Sequence, residues 1–136
     1  MATSIEQRQA EDIISENVKR MYRDHVGHEP GLVTCQIFDD KLVLLIEGAI
    51  TPAEKLLLQV NQRQLVDQVR SLLDVAIQPY LKSILEHIID VPVVDLMVNT
   101  TVDTERTGSI AILAEKPNVQ EILTHRYTGH TGTQGR

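Results

Sequence analysis

Two carboxylates that could act as an acid and a base lie in one short stretch of the chain, LLIEGAITPAEKLLL at residues 44–58. General acid–base chemistry needs titratable side chains within hydrogen-bond reach of a substrate. Glu47 and Glu54 meet this condition only if the turn between them folds the two side chains together. The stretch is therefore compatible with a small enzyme that uses Glu47 and Glu54, although a lone pair of carboxylates across a turn is a weak signal.

The same stretch carries a complete helix-start signal, and the free backbone N–H groups of a helix start can bind an anion. Thr51 is a favoured N-cap, Pro52 is favoured at the first helical position, and Glu54 stands where a capping-box partner belongs. A helix start explains every polar residue here except Glu47, so we favour scaffolding and assign no catalytic residue. A capping Glu54 should tolerate replacement by Gln with only a mild loss of stability. The alternative, an anion or ligand site, would consist of four residues: Thr51, Ala53, Glu54 and Lys55.

Two histidines beside a Gly-containing loop are the only candidates for a metal site. His25 and His28 are three residues apart and have Asp24 and Glu29 as neighbours, which are residue types that bind zinc. Two histidines in a polar loop are more often solvated, so we predict no metal and no other cofactor. Cys35, the single cysteine, alternates with apolar residues, which is typical of an inert core thiol.

Composition restricts the kind of partner that this chain can have. Its 136 residues are 42% hydrophobic but only 3% aromatic, so few rings are available to stack on nucleic-acid bases. The net charge of −6 repels phosphate backbones and anionic lipid head groups. The N-terminus lacks the apolar core of a secretory signal, and no apolar run reaches the roughly 20 residues of a membrane span. We therefore expect a soluble, cytoplasmic protein that binds no nucleic acid and does not insert into a membrane.

Hydrophobic periodicity predicts one domain at residues 1–125, followed by a disordered Gly/Thr-rich tail at 126–136. A capping box of Thr3 and Glu6 should begin the first helix. A polar loop at residues 103–108 should join the last two strands. In chain order, the predicted elements are a helix from Thr3 to about His25, strands Leu32–Phe38 and Lys41–Glu47, a helical region from Glu54 to about Ile89, strands Val93–Val102 and Ser109–Glu115, and a short helix from Pro117 to about His125.

The long helical region should be interrupted at Asn61–Gln64 and kinked or divided at Pro79. One face of it is an apolar stripe, which consists of Leu65, Val69, Leu72, Leu73, Ala76, Tyr80, Ile84 and Ile88. The opposite face is polar and consists of Asp67, Arg70, Asp74, Gln78, Lys82 and Glu86. Arg70–Asp74 and Lys82–Glu86 have the i,i+4 spacing of ion pairs on a helix surface.

The element order α-β-β-α-β-β, with a final helix, predicts an α+β fold. Short turns between strands make the pairs antiparallel, so we expect a two-layer sandwich with one four-stranded sheet backed by helices. The strand core LVLLI, residues 42–46, is apolar on both faces. Together with the helix stripe, it offers more apolar surface than one helix layer covers. We therefore expect a homodimer joined through a sheet face or edge; the alternative is a monomer whose first and last helices cover the second face.

The run FDDKLVLLIEGAITPAEKLLLQ, residues 38–59, resembles a small bacterial family named for MpsC. A helix like LVDQVRSLLDVAIQPYLKSILEHII and then a strand like VVDLMVNTTVDT follow in that family, and their order here is similar from about Ile5 to Glu115. The family's Gly-Pro dipeptide before the first strand appears here as Pro30-Gly31, so the two chains differ in this loop. The residues after Pro117 lie outside the resemblance.

The resemblance implies a component of a sodium-translocating, membrane-potential-generating system whose other parts resemble inorganic-carbon uptake proteins. It supplies no catalytic residues. Three hypotheses follow. The first is a non-enzymatic accessory or regulatory protein, a homodimer that acts through protein partners and associates with a membrane transport complex. The second is a sensor with a small molecule or anion at the Thr51 helix start or in the dimer cleft. The third is the small enzyme that uses Glu47 and Glu54.

Overall fold

A computed structural model gives the structure of residues 3–124, and the predicted tail at 126–136 lies outside the described residues. Helices and strands alternate in the predicted order, and the α+β fold class is confirmed. The elements are α1 (Ser4–Val26), β1 (Leu32–Phe38), β2 (Lys41–Glu47), α2 (Pro52–Gln59), α3 (Arg63–Ile89), β3 (Val93–Thr101), β4 (Arg106–Leu113) and a short helix, α4, at residues 119–124.

The four strands form one antiparallel sheet in the order β1-β2-β4-β3. The two hairpins, β1–β2 and β3–β4, therefore lie side by side, and β2 pairs with β4 in the centre. Asp39 makes the tight turn of the first hairpin with a left-handed backbone (φ 60°). Both edges of the sheet are strands that begin a hairpin, β1 on one side and β3 on the other.

Helices α1 and α3 lie side by side on one face of the sheet, α1 over β1 and α3 over β3. The predicted Thr3–Glu6 capping box is present, and Gly27 ends α1 in a left-handed conformation (φ 80°). Alternate residues of every strand face these helices, and the shared core is almost wholly aliphatic. We call this the inner face of the sheet. Its buried residues on β1, β2 and β4 are Val33, Cys35, Ile37, Leu42, Leu44, Ile46, Thr107, Ser109, Ala111 and Leu113.

The predicted last helix is present as α4, although its predicted end at His125 lies outside the described residues. Asn118 begins it, since its side chain accepts a hydrogen bond from the Glu121 amide at 3.0 Å. Ile122 is fully buried in the same core cluster as Ala10 of α1 and Leu85 of α3. Helices α1 and α4 therefore belong to the inner layer, and neither covers the second face of the sheet.

The predicted start of the last strand was wrong. Strand β4 begins at Arg106 rather than Ser109, because Arg106 and Thr107 pair with Thr101 and Thr100 of β3. Thr107 is fully buried although its neighbours are polar or Gly. The turn is shorter than predicted, and Glu105 closes it with a left-handed backbone (φ 57°).

The predicted helix break is confirmed, since α2 ends at Gln59 and Asn61 adopts a left-handed backbone (φ 61°) before α3 begins. Pro79 does not divide α3, which continues through it to Ile89. The predicted orientation of α3 was wrong. Only Ile88 of the predicted stripe is buried, whereas Arg70 and Asp74 of the predicted polar face are buried. The buried face consists of Val66, Arg70, Asp74, Ile77, Leu81, Leu85, Ile88 and Ile89.

Replacing Ile122 by Ala tests whether α4 is part of the folded core. The change removes a fully buried side chain, so it should lower the free energy of unfolding by about 2–4 kcal/mol. The matched control is Ile5→Ala, because Ile5 is 72% exposed on α1 and should change stability by less than about 0.5 kcal/mol. Urea denaturation measures both. Equal effects of the two changes would show that α4 does not pack as described.

Candidate functional site

Glu54 lies at the predicted helix start and is 2% exposed. The predicted capping box is confirmed: Thr51 Oγ1 accepts a hydrogen bond from the Glu54 amide at 3.2 Å, and Glu54 Oε1 accepts one from the Thr51 amide at 3.0 Å. The Thr51 hydroxyl also donates to Glu54 Oε1 at 2.8 Å. A capping carboxylate is normally half-solvated, so its complete burial here requires a cation nearby.

Arg70 of α3 supplies that cation. Its side chain is 3% exposed, and its guanidinium binds the Glu54 carboxylate with two hydrogen bonds, Nε to Oε2 at 2.9 Å and Nη2 to Oε1. Nη2 also donates to the backbone carbonyl of Ala49 at 2.9 Å. The two-pronged geometry is the arrangement in which an arginine binds a carboxylate most strongly. The pair thereby joins α2, α3 and the segment after β2.

The buried polar contacts continue from Arg70 to the sheet through Asp74. Asp74 Oδ1 lies 4.0 Å from Arg70 Nη1 and accepts a hydrogen bond from the Thr100 hydroxyl at 2.9 Å. The Thr100 and Thr107 hydroxyls are 2.7 Å apart. We call Glu54, Arg70, Asp74, Thr100 and Thr107 the polar cluster. The cluster extends from the helix layer to Thr100 and Thr107, which pair with each other near the turn of the β3–β4 hairpin.

The two carboxylates of the cluster have opposite pKa shifts. Burial alone would raise the pKa of Glu54, but the hydrogen bonds from Arg70 and Thr51 outweigh it and hold this pKa below its usual value. Burial raises the pKa of Asp74, and the Thr100 hydrogen bond and the Arg70 charge offset this only in part. Glu54 is therefore held as a charged partner of Arg70, whereas Asp74 carries its charge at a cost in free energy.

The predicted anion or ligand site is occupied by the protein's own side chains. Thr51 and Glu54 are hydrogen-bonded to each other, and Glu54 cannot turn to a ligand without leaving Arg70 unpaired in the interior. Ala53 and Lys55 are exposed, and Lys55 lies 3.2 Å from Glu105 in a surface ion pair. A ligand at this helix start stays a prediction, and the contacts of Thr51 and Glu54 give these two residues a structural role.

Glu47 has a different environment from Glu54. It pairs with Arg106 across β2 and β4 at 3.3 Å, with 35% of its side chain exposed. The charged partner of Glu54 is instead the buried Arg70. Each carboxylate therefore has its own cation, and no hydrogen bond joins the two within residues 3–124.

The two candidate metal ligands contact different neighbours. The His25 ring stacks on Tyr80 of α3, with ring centroids 4.0 Å apart. The His28 Nε2 lies 3.0 Å from the Gly48 carbonyl oxygen, within hydrogen-bond distance. In the part of the chain that the structure describes, no group of three or more His, Cys, Asp or Glu side chains is placed to hold a metal ion.

Sequence reasoning missed Arg70 and Asp74 as interior residues. Their i,i+4 spacing is typical of a solvated ion pair and predicts a position on the helix surface. A second apolar pattern on the same helix could have located them: Val66, Ile77, Leu81, Leu85 and Ile88 share one face, and Arg70 and Asp74 occupy its two missing positions. Since α3 carries apolar residues over most of its circumference, periodicity alone did not choose between the two faces.

The second face of the sheet, which we call the outer face, has no helix on it in residues 3–124. Its centre is apolar and consists of the outward side chains of β2 and β4: Val43, Leu45, Ile110 and Ile112. Leu45 is 38% exposed and Ile110 41%, and Met97 of β3 beside them is 47% exposed. Contiguous apolar surface with a polar rim is typical of a site that binds another protein.

A second uncovered apolar surface runs along α3. We call it the α3 stripe and define it by Leu65, Leu72, Ala76 and Tyr80, which follow each other at helical spacing. Leu72 is 70% exposed and Tyr80 49%. These residues belong to the stripe that the sequence predicted, and they are exposed because α3 turns Arg70 and Asp74 inward instead.

Comparisons with known proteins give one match. Residues 6–115 match the sequence family described as MpsC, Na+-translocating membrane potential-generating system (MpsC). The predicted resemblance is confirmed, and the matched region extends from α1 to just beyond β4. No curated protein and no solved structure matches the chain. Within residues 3–124, none of the helices combines the length and apolar character that crossing a bilayer requires.

Replacing Glu54 by Gln tests the energetic role of the ion pair. It leaves the Arg70 guanidinium buried beside a neutral amide, so we expect a loss of about 3–5 kcal/mol in the free energy of unfolding. This revises the mild effect that a simple capping role implies. The measurement is urea denaturation monitored by circular dichroism.

The control for this change is Glu105→Gln, which breaks the exposed pair with Lys55 and should cost less than about 1 kcal/mol. A triple replacement, Glu54→Leu with Arg70→Met and Asp74→Asn, should be less harmful than Glu54→Gln, because it leaves none of the three buried charges unpaired. An equally mild effect of Glu54→Gln and Glu105→Gln would contradict the buried pair.

Replacing Asp74 by Asn should stabilise the protein near neutral pH. The pKa of Asp74 is raised on folding, so its contribution to stability is most favourable below the unfolded pKa and declines as pH rises through the folded pKa. Asn removes this decline and can still accept the Thr100 hydrogen bond. The gain in melting temperature over the wild type should therefore grow between about pH 4 and about pH 7. A gain that shrinks over this range would show that the charged form is favoured on folding.

Proposed function

The chain belongs to the MpsC family, and we propose that it is a non-enzymatic accessory or regulatory subunit of a membrane-potential-generating ion-transport system. It acts in the cytoplasm by binding proteins, and it is itself a homodimer. The family description names sodium translocation, and the other parts of the system for which the family is named resemble inorganic-carbon uptake proteins, so the system it serves transports sodium or inorganic carbon.

The distribution of polar and apolar groups carries this proposal. The groups best suited to chemistry are inside and satisfy each other, because Glu54 and Arg70 are paired and almost fully buried. Large apolar side chains are exposed at several places, and two of these are continuous surfaces, the outer face and the α3 stripe. The exposed apolar side chains can contribute free energy when another protein covers them. The buried polar side chains already bind each other and are not available to a small substrate.

The two surfaces suit different tasks. The outer face is broad, since it is one side of a four-stranded sheet, and we assign it to the homodimer. The α3 stripe is long and narrow, which is the shape that an apolar helix of another protein can cover. One surface for self-association and one for a partner together account for both uncovered areas.

Purification of the tagged chain from membranes of the source cells tests the partner directly. Subunits of an ion or inorganic-carbon transporter should be identified by mass spectrometry after mild cross-linking. Leu72→Glu on the α3 stripe should reduce their recovery at least tenfold without lowering the melting temperature, because Leu72 is 70% exposed. The matched control is Ile5→Glu, which places the same charge on an exposed position of α1 and should not reduce recovery.

A thermal-shift series with sodium, bicarbonate and nucleotides tests the sensor hypothesis. A ligand that binds the folded state raises the melting temperature in proportion to its affinity and concentration. A saturable shift with one of them, combined with no transporter subunit in the purification, would replace the accessory role by a sensor role.

A further inference from the structure

The outer face has a regular pattern of residues because the strand register aligns them in rows. Val43 of β2 lies beside Ile110 of β4, and Leu45 beside Gly108. The next row towards one end pairs Glu47 with Arg106, and the row towards the other end pairs Lys41 with Ile112. The two central strands therefore present an apolar centre with charged residues at both ends.

Gly108 makes a notch in this face. Its backbone is extended, and a Cβ atom built on it would meet no heavy atom within 4 Å. Neighbouring rows carry the branched side chains of Val43 and Ile110, so the surface is lower at Gly108 than around it. Gly in the interior of a strand weakens the sheet and often marks a bulge, a bend, or a place where a ligand or another backbone approaches closely.

The charges of the outer face balance, unlike those of the whole chain. Lys41 and Arg106 carry two positive charges, and Glu47 and Asp95 carry two negative charges, so their sum is zero. The chain as a whole has a net charge of −6. Two copies therefore repel each other less through this face than through the rest of the surface, and the face offers no excess positive charge to an anionic membrane or a nucleic acid.

From this pattern we propose that the outer face binds the outer face of a second copy of this chain. The two sheets stack about a two-fold axis that runs parallel to the strands, between β2 and β4, so that β2 of one copy lies over β4 of the other. Aligned sheets pack about 10 Å apart with their strands rotated by about 30°. The inference rests on the proposed homodimer and specifies how the two outer faces stack and which residues meet.

This axis brings complementary residues together. Leu45 of each copy enters the notch at the partner's Gly108, and Val43 packs on the partner's Ile110. Glu47 lies over the partner's Arg106, so each Arg106 has a carboxylate on its own sheet and another on the facing sheet. Because the contact is isologous, each of these pairs occurs twice. The α3 stripe lies on the helix layer and stays free for a different protein.

Filling the notch separates the dimer contact from the stability of the monomer. Gly108→Val adds a side chain that the monomer accommodates and that suits a strand, so the fold should be kept. It displaces the partner's Leu45, and we expect the dimer dissociation constant to rise at least tenfold, with a smaller rise for Gly108→Ala. Analytical ultracentrifugation over a concentration series measures both constants. The control Leu72→Ala, on the α3 stripe, should leave the constant unchanged.

Charge exchange tests whether Glu47 and Arg106 meet across the interface. Glu47→Arg alone and Arg106→Glu alone each place like charges side by side within a sheet and across the dimer, so each should be mainly monomeric. An equimolar mixture of the two variants should form heterodimers, because each new charge then faces its opposite on the other copy. Pairing only within one sheet would give no rescue on mixing, and that result would overturn the proposed stacking.

Thiol cross-linking gives an independent readout, since Cys35 is buried and burial raises its pKa, which leaves its thiol unreactive. A mixture of Val43→Cys and Ile110→Cys should cross-link, whereas Ala76→Cys on the α3 stripe should not.

Cross-linking of Ala76→Cys alone would keep the homodimer of the proposed function but place it on α3, against this inference. A wild-type chain that stays monomeric at every soluble concentration would overturn the dimer and leave the transporter partner to its own test. Binding to phosphatidylcholine vesicles that Ile110→Asp abolishes would assign the outer face to a membrane instead.

Discussion

The buried ion pair of Glu54 and Arg70 determines how the helices sit on the sheet. Two charges in the interior are tolerated only with full compensation, and here the carboxylate accepts hydrogen bonds from Arg70 and from Thr51, while the guanidinium also binds the Ala49 carbonyl. These contacts fix the start of α2 and the rotation of α3 together. Because Arg70 must face inward, the regular apolar stripe that contains Leu72 faces solvent. A contact in the core thus decides which surface is offered to other proteins.

Local rules were sufficient for the elements of this fold. Both capping boxes, the first hairpin, the break near Asn61 and the two-layer arrangement follow from residues that are close in sequence, so they could be predicted. The strand order β1-β2-β4-β3 depends on how two hairpins dock, which no local pattern encodes. The start of β4 was missed for a related reason, since the polar run at residues 103–108 is typical of a loop, and Arg106 and Thr107 become strand through pairing with β3.

The candidate site could be predicted from the sequence only in part, because its residues come from distant parts of the chain. Glu54 could be recognised as a helix cap, because its partner Thr51 is three residues away. Its second partner is sixteen residues away on another helix, and the i,i+4 spacing of Arg70 and Asp74 indicated the solvent side. Interior arginines are rare enough that the apolar alternative was the reasonable choice from sequence. Only the packing of α2 against α3 reveals that the charged pair belongs inside.

The polar cluster also divides the interior into two unequal parts. On the buried face of α3, Val66 belongs to a small apolar group with Ile50 and Val102, whereas Ile77 and the residues after it belong to the large core under α1. Arg70 and Asp74 lie between the two groups. Pro79 lacks the amide hydrogen that would bond to the Val75 carbonyl, so α3 lacks one backbone hydrogen bond shortly after Asp74, although the helix continues. The end of the molecule that contains α2 and the first turns of α3 thus depends on three buried apolar side chains and the polar cluster rather than on the large core.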